Sequence, residues 1–234
     1  MEKEELIQRS PVGVFMKSIQ GGLNAGELGV IASLSGLGKT SVLVQIALDK
    51  LLQAKKVIHV SFTQHTDHVL SWYEDIFNEF IRKKNLENEQ DVKNEIVKNR
   101  VLMKFNQEGL TVDQILKSLG AMIKDGGFAA DCIIVDGYKF SPEEKENIFR
   151  IKEFARELGL SVWFSCTVKN EDNPYDKQNV PVLIKDYAEL FDVIVVLEPK
   201  KDHIELSVTR DRNSHKSGQL ALRLDPKTLL ILEK

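Results

Sequence analysis

The chain has 234 residues, 42% of them hydrophobic, which is enough for one substantial core and too little for two complete α/β domains. Its formal net charge is −3 with acids and bases interspersed, so no long-range attraction to nucleic acid or an anionic membrane is expected. The apolar runs are too short to span a bilayer, and the charged residues 1–5 do not look like a secretory signal. Cys132 and Cys166 lie in apolar segments that favour buried thiols in a reducing compartment. We therefore expect one cytoplasmic domain over residues 1–234, with about 1–12 as an extension and no membrane insertion.

Short β-rich runs alternate with longer segments of helical period, a pattern that predicts βα units around a mostly parallel sheet. In chain order we expect strand 28–32, helix 40–52, strand 56–62, helix 65–84, strand 101–105, helix 111–124, strand 132–135, helix 141–158 and strand 161–166. Residues 87–98 are charged and weakly periodic, and the polar segment 169–181 is expected to be a mobile loop. Apolar segments then follow closely at 192–197, 203–210, 220–224 and 229–232. These short, closely spaced segments predict antiparallel strands at one edge of the sheet.

The segment 33–40, with the sequence SLSGLGKT, stands between an expected strand and an expected helix, as a phosphate-binding P-loop requires. Its backbone N–H groups would surround a β-phosphate, and the helix would direct its positive end at the same anion. Lys39 would reach the β- and γ-phosphates, the hydroxyl of Thr40 would ligate Mg²⁺, and Ser41 would donate to the α-phosphate. The predicted nucleotide-binding residues are Ser35, Gly36, Leu37, Gly38, Lys39, Thr40 and Ser41.

Two features bear on how strong this motif is. The alternative interpretation is an ordinary glycine-containing turn followed by a helix cap. Ser33 stands at the first motif position, where glycine is usual, and this matters only if that residue needs a positive φ.

Asp136 ends the apolar run at 133–135, a position typical of the second carboxylate that holds Mg²⁺ in P-loop proteins. We predict that Thr40 and Asp136 together form the metal site, with Asp136 beside the P-loop strand. Without the P-loop, the simpler interpretation would be an aspartate that starts the turn at Gly137.

The stretch Gly21-Gly22-Leu23 to Gly26-Glu27-Leu28, with Val30-Ile31-Ala32 and Gly38-Lys39-Thr40, resembles the opening of KaiC-type and DnaB-type RecA-like ATPases. More weakly, Val135-Asp136 resembles their Walker B strand, Phe164-Ser165-Cys166 the strand with a γ-phosphate sensor, and Asp192-Val193-Ile194 the strand after the mobile loop. The resemblance covers nearly the whole chain. It implies an α/β, three-layer RecA-like P-loop NTPase core, a mostly parallel twisted sheet flanked by helices with antiparallel C-terminal edge strands. It also implies ATP as the nucleotide and a homo-oligomer such as a hexameric ring.

The family keeps a catalytic glutamate at the end of the strand 56–62, where this sequence has Thr63 and Gln64. Neither side chain takes a proton from water at neutral pH, although Gln64 can orient a water molecule. Asp67, Glu74 or Asp75 would have to act as a substitute base. The resemblance therefore implies ATP binding with weak or absent hydrolysis.

Arg210 and Arg212 resemble the Lys-x-Arg pair that KaiC-like and DnaB-like subunits extend toward the γ-phosphate of a neighbour. Two arginines spaced by two on one strand face point the same way, and guanidinium groups suit phosphate oxygens. The alternative is a solvated pair on an edge strand, where charge discourages aggregation.

Our leading hypothesis is a KaiC-like regulatory or scaffold protein that binds Mg·ATP and signals its occupancy to a protein partner. The alternative is an active oligomeric ATPase of DnaB/RecA type that acts in DNA replication, recombination or repair. Trp72, Phe77 and Phe80 have helical spacing and are expected to fill the core, and His65 and His68 are expected to be solvated residues at a helix start.

Overall fold

One sheet of nine strands organises the computed structural model, which describes residues 11–63, 65–84, 89–169, 174–212 and 218–233. The strands are β1 (Leu28–Ser33), β2 (Val57–Ser61), β3 (Arg100–Lys104), β4 (Cys132–Asp136), β5 (Ser161–Thr167), β6 (Val193–Pro199), β7 (Ile204–Asp211), β8 (Gly218–Leu224) and β9 (Ile231–Glu233). The helices are α1 (Pro11–Ser18), α2 (Lys39–Leu52), α3 (Thr66–Lys84), α4 (Glu89–Lys98), α5 (Val112–Gly120) and α6 (Lys145–Leu158). A π-helical turn at Ala121–Asp125 extends α5, and 3₁₀ segments lie at Pro142–Glu144 and Val182–Leu190.

The strand order is β3-β2-β4-β5-β1-β6-β7-β8-β9. The strands from β3 to β6 pair in parallel, and β6 to β9 pair antiparallel. The expectation of an α/β chain with a mostly parallel sheet and antiparallel C-terminal strands is therefore confirmed. One detail was wrong: Asp136 was expected beside the strand that precedes the glycine-rich loop, but β5 separates β4 from β1.

Helices cover both faces of the sheet, so the parallel strands are apolar on both sides, as in β1, where all six residues are buried. Ile31 and Trp163 belong to a core shared with α1, α2 and α3, whereas Val30 and Phe164 belong to a core shared with α5 and α6. This alternation follows from the two-residue period of a strand.

Local signals set several element ends. A capping box begins α5, because Thr111 accepts from the Gln114 N–H and the Gln114 side chain accepts from the Thr111 N–H. Gly159 ends α6 with a left-handed φ of 64°. Ser141 precedes the helical segment, but its side chain makes no cap hydrogen bond, and a 3₁₀ turn at Pro142–Glu144 comes before α6.

Some segments differ from the expectation. Residues 89–98 form α4 despite their weak periodicity, and part of the segment expected to be a mobile loop, residues 170–173, lies outside the described residues. The 3₁₀ segment at Val182–Leu190 was not predicted. Val12 is buried within α1, so the core extends into the segment expected to be an extension, of which residues 1–10 lie outside the described part. None of the described helices combines the length and the apolar character that a membrane crossing requires.

Candidate functional site

The glycine-rich loop joins β1 to α2 at the carboxyl end of β1, the middle of the sheet. The two strands that flank β1 are β5 and β6, which are consecutive in the chain, so the connection between them crosses β1. In open α/β sheets, ligands bind outside the carboxyl ends of the strands, where the winding changes direction. The fold therefore places the predicted loop at the position where a ligand is expected.

Backbone conformation in the loop depends on glycine at Gly36 and Gly38, whose φ angles are 80° and 87°. Gly38 is also tightly surrounded, since a Cβ there would lie 2.6 Å from Cδ2 of Leu224. Ser33 is the last residue of β1 and is not among the residues with positive φ. A serine at the first motif position therefore introduces no backbone strain.

The Lys39 ammonium group lies inside the loop, and the residue is only 8% exposed. It donates to the carbonyl of Leu34 at 2.9 Å and to the carbonyl and hydroxyl oxygens of Ser33, both at 3.2 Å. Burial lowers the pKa of Lys39, while Cys166 and the nearby carboxylate of Asp136 oppose that shift. A buried cation held by neutral oxygens is suited to an incoming anion.

Asp136, at the end of β4, meets Thr40, in the first turn of α2, although β5 lies between β4 and β1. The Thr40 hydroxyl donates to Oδ2 of Asp136 at 2.9 Å, and the Ser165 hydroxyl donates to Oδ1 at 2.6 Å. The N–H of Gly137 in turn donates to Ser165 Oγ at 2.8 Å, which orients that hydroxyl toward the carboxylate. The structure thus brings the two predicted metal ligands together and adds Ser165, which fixes the second carboxylate oxygen.

This arrangement fits a magnesium ion, because Mg²⁺ prefers oxygen ligands and is usually held by one or two protein groups together with phosphate oxygens and water. Thr40 and Asp136 supply such oxygens beside the loop that would hold the phosphates. In the described part of the chain, no three His, Cys, Asp or Glu side chains are grouped as a metal site, so a cation here would depend on phosphate oxygens for the rest of its shell.

The loop opens into a cleft of about 690 Å³. Lys39, Lys139 and Lys169 line it, and Asp136 is the only carboxylate among its described lining residues. Lys139 is paired with the exposed Glu108, but the lysines still outnumber the carboxylate along the cleft, which favours an anionic ligand. Trp72 packs against the core, as its helical spacing predicted, and also lines the cleft.

Ser41 is fully buried, and its hydroxyl donates to the carbonyl oxygen of Leu229 at 2.6 Å. Leu229 belongs to the turn between β8 and β9 and also lines the cleft. Sequence reasoning missed Trp72 and Leu229 as cleft residues, because both reach the cleft through tertiary packing. Ser165 was indicated only through the resemblance of its strand to a sensor strand, and its contact with Asp136 was not predicted.

The positions matching the catalytic glutamate are only partly described. Thr63 lines the cleft and lies against Gly137, where an added Cβ would come within 2.5 Å of its Oγ1, whereas Gln64 lies outside the described residues. Asp67, Glu74 and Asp75 are exposed on α3 and are not among the residues that line the cleft. None of these three acids is therefore brought to the loop.

Arg212 directly follows β7, beside the amino end of β6, whereas the loop lies at the carboxyl ends of the parallel strands; its φ of 56° is left-handed. Its guanidinium group donates to both carboxylate oxygens of Glu27 at 2.9 and 2.8 Å, to Asp211 at 2.7 Å, and to the carbonyls of Gly22 and Ile19 at 2.8 and 3.4 Å. Five acceptors match the five N–H donors of arginine. Burial alone would raise the pKa of Glu27, but hydrogen bonds from Arg212 and Asn24 outweigh it, and the pKa is lowered. In this conformation Arg212 has no donor left for a phosphate group.

Arg210 is paired with Ile194 in the interior of the sheet, because β7 lies between β6 and β8 and is not an edge strand. Its Nε is buried and has no hydrogen-bond partner within the described part of the chain. The two arginines do not share one strand face, since Arg212 follows the strand. A contact between Arg210 and a neighbouring subunit stays a prediction.

The two cysteines, Cys132 and Cys166, are fully buried free thiols, and their burial was expected. Burial raises the pKa of Cys166 to about 12 even though the Lys39 ammonium group lies near enough to oppose it. The thiols therefore act as small apolar side chains.

The chain matches none of the protein-family models and none of the curated proteins with which it was compared.

Proposed function

We propose that this chain is a RecA-like, KaiC-type regulatory or scaffold protein that binds Mg·ATP and hydrolyses it slowly or not at all. The observation that carries the proposal is the cleft at the carboxyl end of β1. There Lys39, Thr40 and Asp136 converge, and Asp136 is the only carboxylate among the described lining residues.

The groups proposed to bind Mg·ATP already lie together around the glycine-rich loop. The first N–H groups of α2 have no partner within the helix and would donate to the phosphates, and Lys39 adds a buried positive charge. Thr40 and Asp136 would hold Mg²⁺, which when bound neutralises phosphate charge. The remaining predicted contacts, Ser35, Gly36, Leu37 and Gly38, form the loop itself.

Slow turnover is proposed because a general base must lie within hydrogen-bond reach of the attacking water. Both carboxylate oxygens of Asp136 already accept hydrogen bonds, one from Thr40 and one from Ser165. The hydroxyl of Thr63 is not a base at neutral pH. Stable ATP occupancy would then hold a homo-oligomer, such as a hexameric ring, in a state that a protein partner recognises.

The experiment is to incubate the purified chain with Mg·ATP, remove free nucleotide, and identify by chromatography what stays bound over hours. Intact ATP, retained by the wild type and lost in Lys39→Ala, is the expected result. Lys55→Ala, which removes an exposed lysine remote from the cleft, is the control. Submicromolar affinity in Lys39→Ala would show that the site is wrongly assigned.

Recovery of ADP would contradict slow turnover, and Gln64→Ala would then locate the cause. If ADP still forms in Gln64→Ala, a carboxylate outside the described cleft drives hydrolysis. If turnover also rises with added DNA, the active DnaB/RecA-type ATPase replaces the regulatory protein as the preferred function.

A further inference from the structure

The turn between β8 and β9, residues 225–230, packs directly on the glycine-rich loop. Leu224 and Leu229 surround Gly38, where an added Cβ would lie 2.6 Å from Leu224 Cδ2 and 3.4 Å from Leu229 Cδ2. The Ser41 hydroxyl donates to the Leu229 carbonyl at 2.6 Å, a contact between residues 188 positions apart. This turn is therefore the part of the C-terminal strands that touches the proposed phosphate site.

The contact conflicts with the role assigned to Ser41. A serine hydroxyl carries one proton and donates one hydrogen bond at a time. If Ser41 donates to an α-phosphate, it can no longer donate to Leu229. A bound nucleotide and the carbonyl of Leu229 therefore compete for the same hydrogen.

Gln45 lowers the free-energy cost when the Ser41 hydroxyl changes its acceptor. Its Nε2 donates to the same Leu229 carbonyl at 2.9 Å, and its Oε1 accepts from the Ile231 N–H at 2.9 Å. When Ser41 turns away, the carbonyl still has one donor, so no buried acceptor is left unsatisfied. The amide of Gln45 keeps the start of β9 attached to α2 throughout.

The turn is also conformationally strained. Leu229 has a left-handed φ of 55°, which is sparsely populated for a residue with a branched side chain. Within the turn, the Leu229 N–H donates to the carbonyl of Asp225 at 2.7 Å. Loss of the hydrogen bond from Ser41 on α2 therefore affects a segment whose backbone is already strained at Leu229.

We infer that the turn 225–230 reports occupancy of the α-phosphate position: a nucleotide takes the Ser41 hydroxyl from Leu229 and loosens the turn, whereas an anion confined to the glycine loop does not. This inference rests on the proposed function and deepens it by naming the regulated surface. Pro226 and Lys227 are exposed on the turn, so the change is presented to solvent and to any partner.

The test is hydrogen–deuterium exchange of the full chain with Mg²⁺ and either ADP or orthophosphate. Both ligands should protect peptides that cover the glycine loop. Only ADP should accelerate exchange of the amides of residues 227–230, by about fivefold, the factor that one ordinary hydrogen bond contributes to an opening equilibrium. An unchanged or slower turn in the presence of ADP, with the loop protected, would overturn the inference and leave the proposed function standing.

Ser41→Ala separates the loss of the hydrogen bond between Ser41 and Leu229 from a general effect of the ligand. This variant should show the faster turn exchange without nucleotide, and ADP should add nothing further. Ser118→Ala is the matched control, because Ser118 donates to a carbonyl of its own helix and is exposed. An equal ADP response in Ser41→Ala would also overturn the inference. If neither ADP nor orthophosphate protects the glycine loop, the proposed function and the inference are both refuted.

Discussion

Thr40 donates its hydroxyl hydrogen to Asp136 at 2.9 Å, across 96 residues of sequence and one intervening strand. The carboxylate reaches that far because Ser165, on the intervening strand β5, holds its other oxygen at 2.6 Å. Asp136 is only 3% exposed, so its orientation is set by these two hydroxyls and not by water. The oxygens that would hold Mg²⁺ are thus pre-positioned by a side chain that need not touch the ion.

Ser165→Ala should lower the affinity for Mg·ATP by about tenfold, because residues that orient metal ligands typically contribute 10–100-fold to metal affinity. Affinity for ATP measured in EDTA should not change, since the hydroxyl acts through Asp136. Calorimetric titrations with and without Mg²⁺ check this, and Ser165→Thr should restore the wild-type value. Ser161→Ala, at the other end of β5, is the control. Equal losses with and without Mg²⁺ would instead indicate a direct phosphate contact by Ser165.

Gly38→Ala should abolish nucleotide binding and lower the free energy of unfolding by about 1–2 kcal/mol. The physical reasons are its φ of 87° and the 2.6 Å approach of an added Cβ to Leu224. Gly159→Ala is the matched control, because Gly159 has a φ of 64° but open space around it. It should lose about 1 kcal/mol and bind nucleotide normally. Nucleotide titrations and urea unfolding of both variants make the comparison, which fails if Gly38→Ala retains wild-type affinity.

Arg212→Lys should lower the free energy of unfolding by about 2–3 kcal/mol, because a lysine cannot replace the five hydrogen bonds of the guanidinium group and leaves Glu27 and the fully buried Asp211 poorly compensated. Nucleotide affinity should be unchanged at all protein concentrations. Arg156→Lys, at an ion pair whose side chains are 57% and 51% exposed, should change stability by less than about 0.5 kcal/mol. A stable Arg212→Lys protein with weakened, concentration-dependent nucleotide binding would restore the predicted contact between subunits.

Asp49 is buried on α2, and burial raises its pKa from 3.8 to about 6, although Gln53 donates to it. The folded chain therefore holds this proton more tightly than the unfolded chain, so ionisation of Asp49 lowers stability as the pH rises from about 4 to 6. Asp49→Asn should raise the free energy of unfolding at pH 7.5 by up to about 3 kcal/mol, and the gain should disappear below about pH 4.

Urea unfolding of wild type and Asp49→Asn across pH 4 to 8 tests this sign, with Asp125→Asn as an exposed control. A gain that is the same at every pH would mean that the amide improves packing and that the carboxyl of Asp49 is not the cause.

The contiguous pattern of the sequence determined the local parts of this protein. An apolar run, two glycines, Lys39 and Thr40 predict a strand, a tight loop and a helix, because each of these preferences acts between residues that are neighbours in the chain. The antiparallel strands after residue 192 were likewise predicted from short apolar runs and turn residues. Boundaries such as the 3₁₀ turn before α6 were missed, since competing local conformations there differ by small energies.

Only the tertiary structure decided which distant side chains share the site. Ser165 meets Asp136 because β5 lies beside β4, and Leu229 meets Ser41 because the last turn folds onto α2. Arg212 meets Glu27 at the amino ends of the parallel strands, opposite the loop. Each contact depends on strand order and on packing between residues far apart in the chain. No local spacing encodes these, because the energy that selects them comes from burying whole faces of the sheet at once.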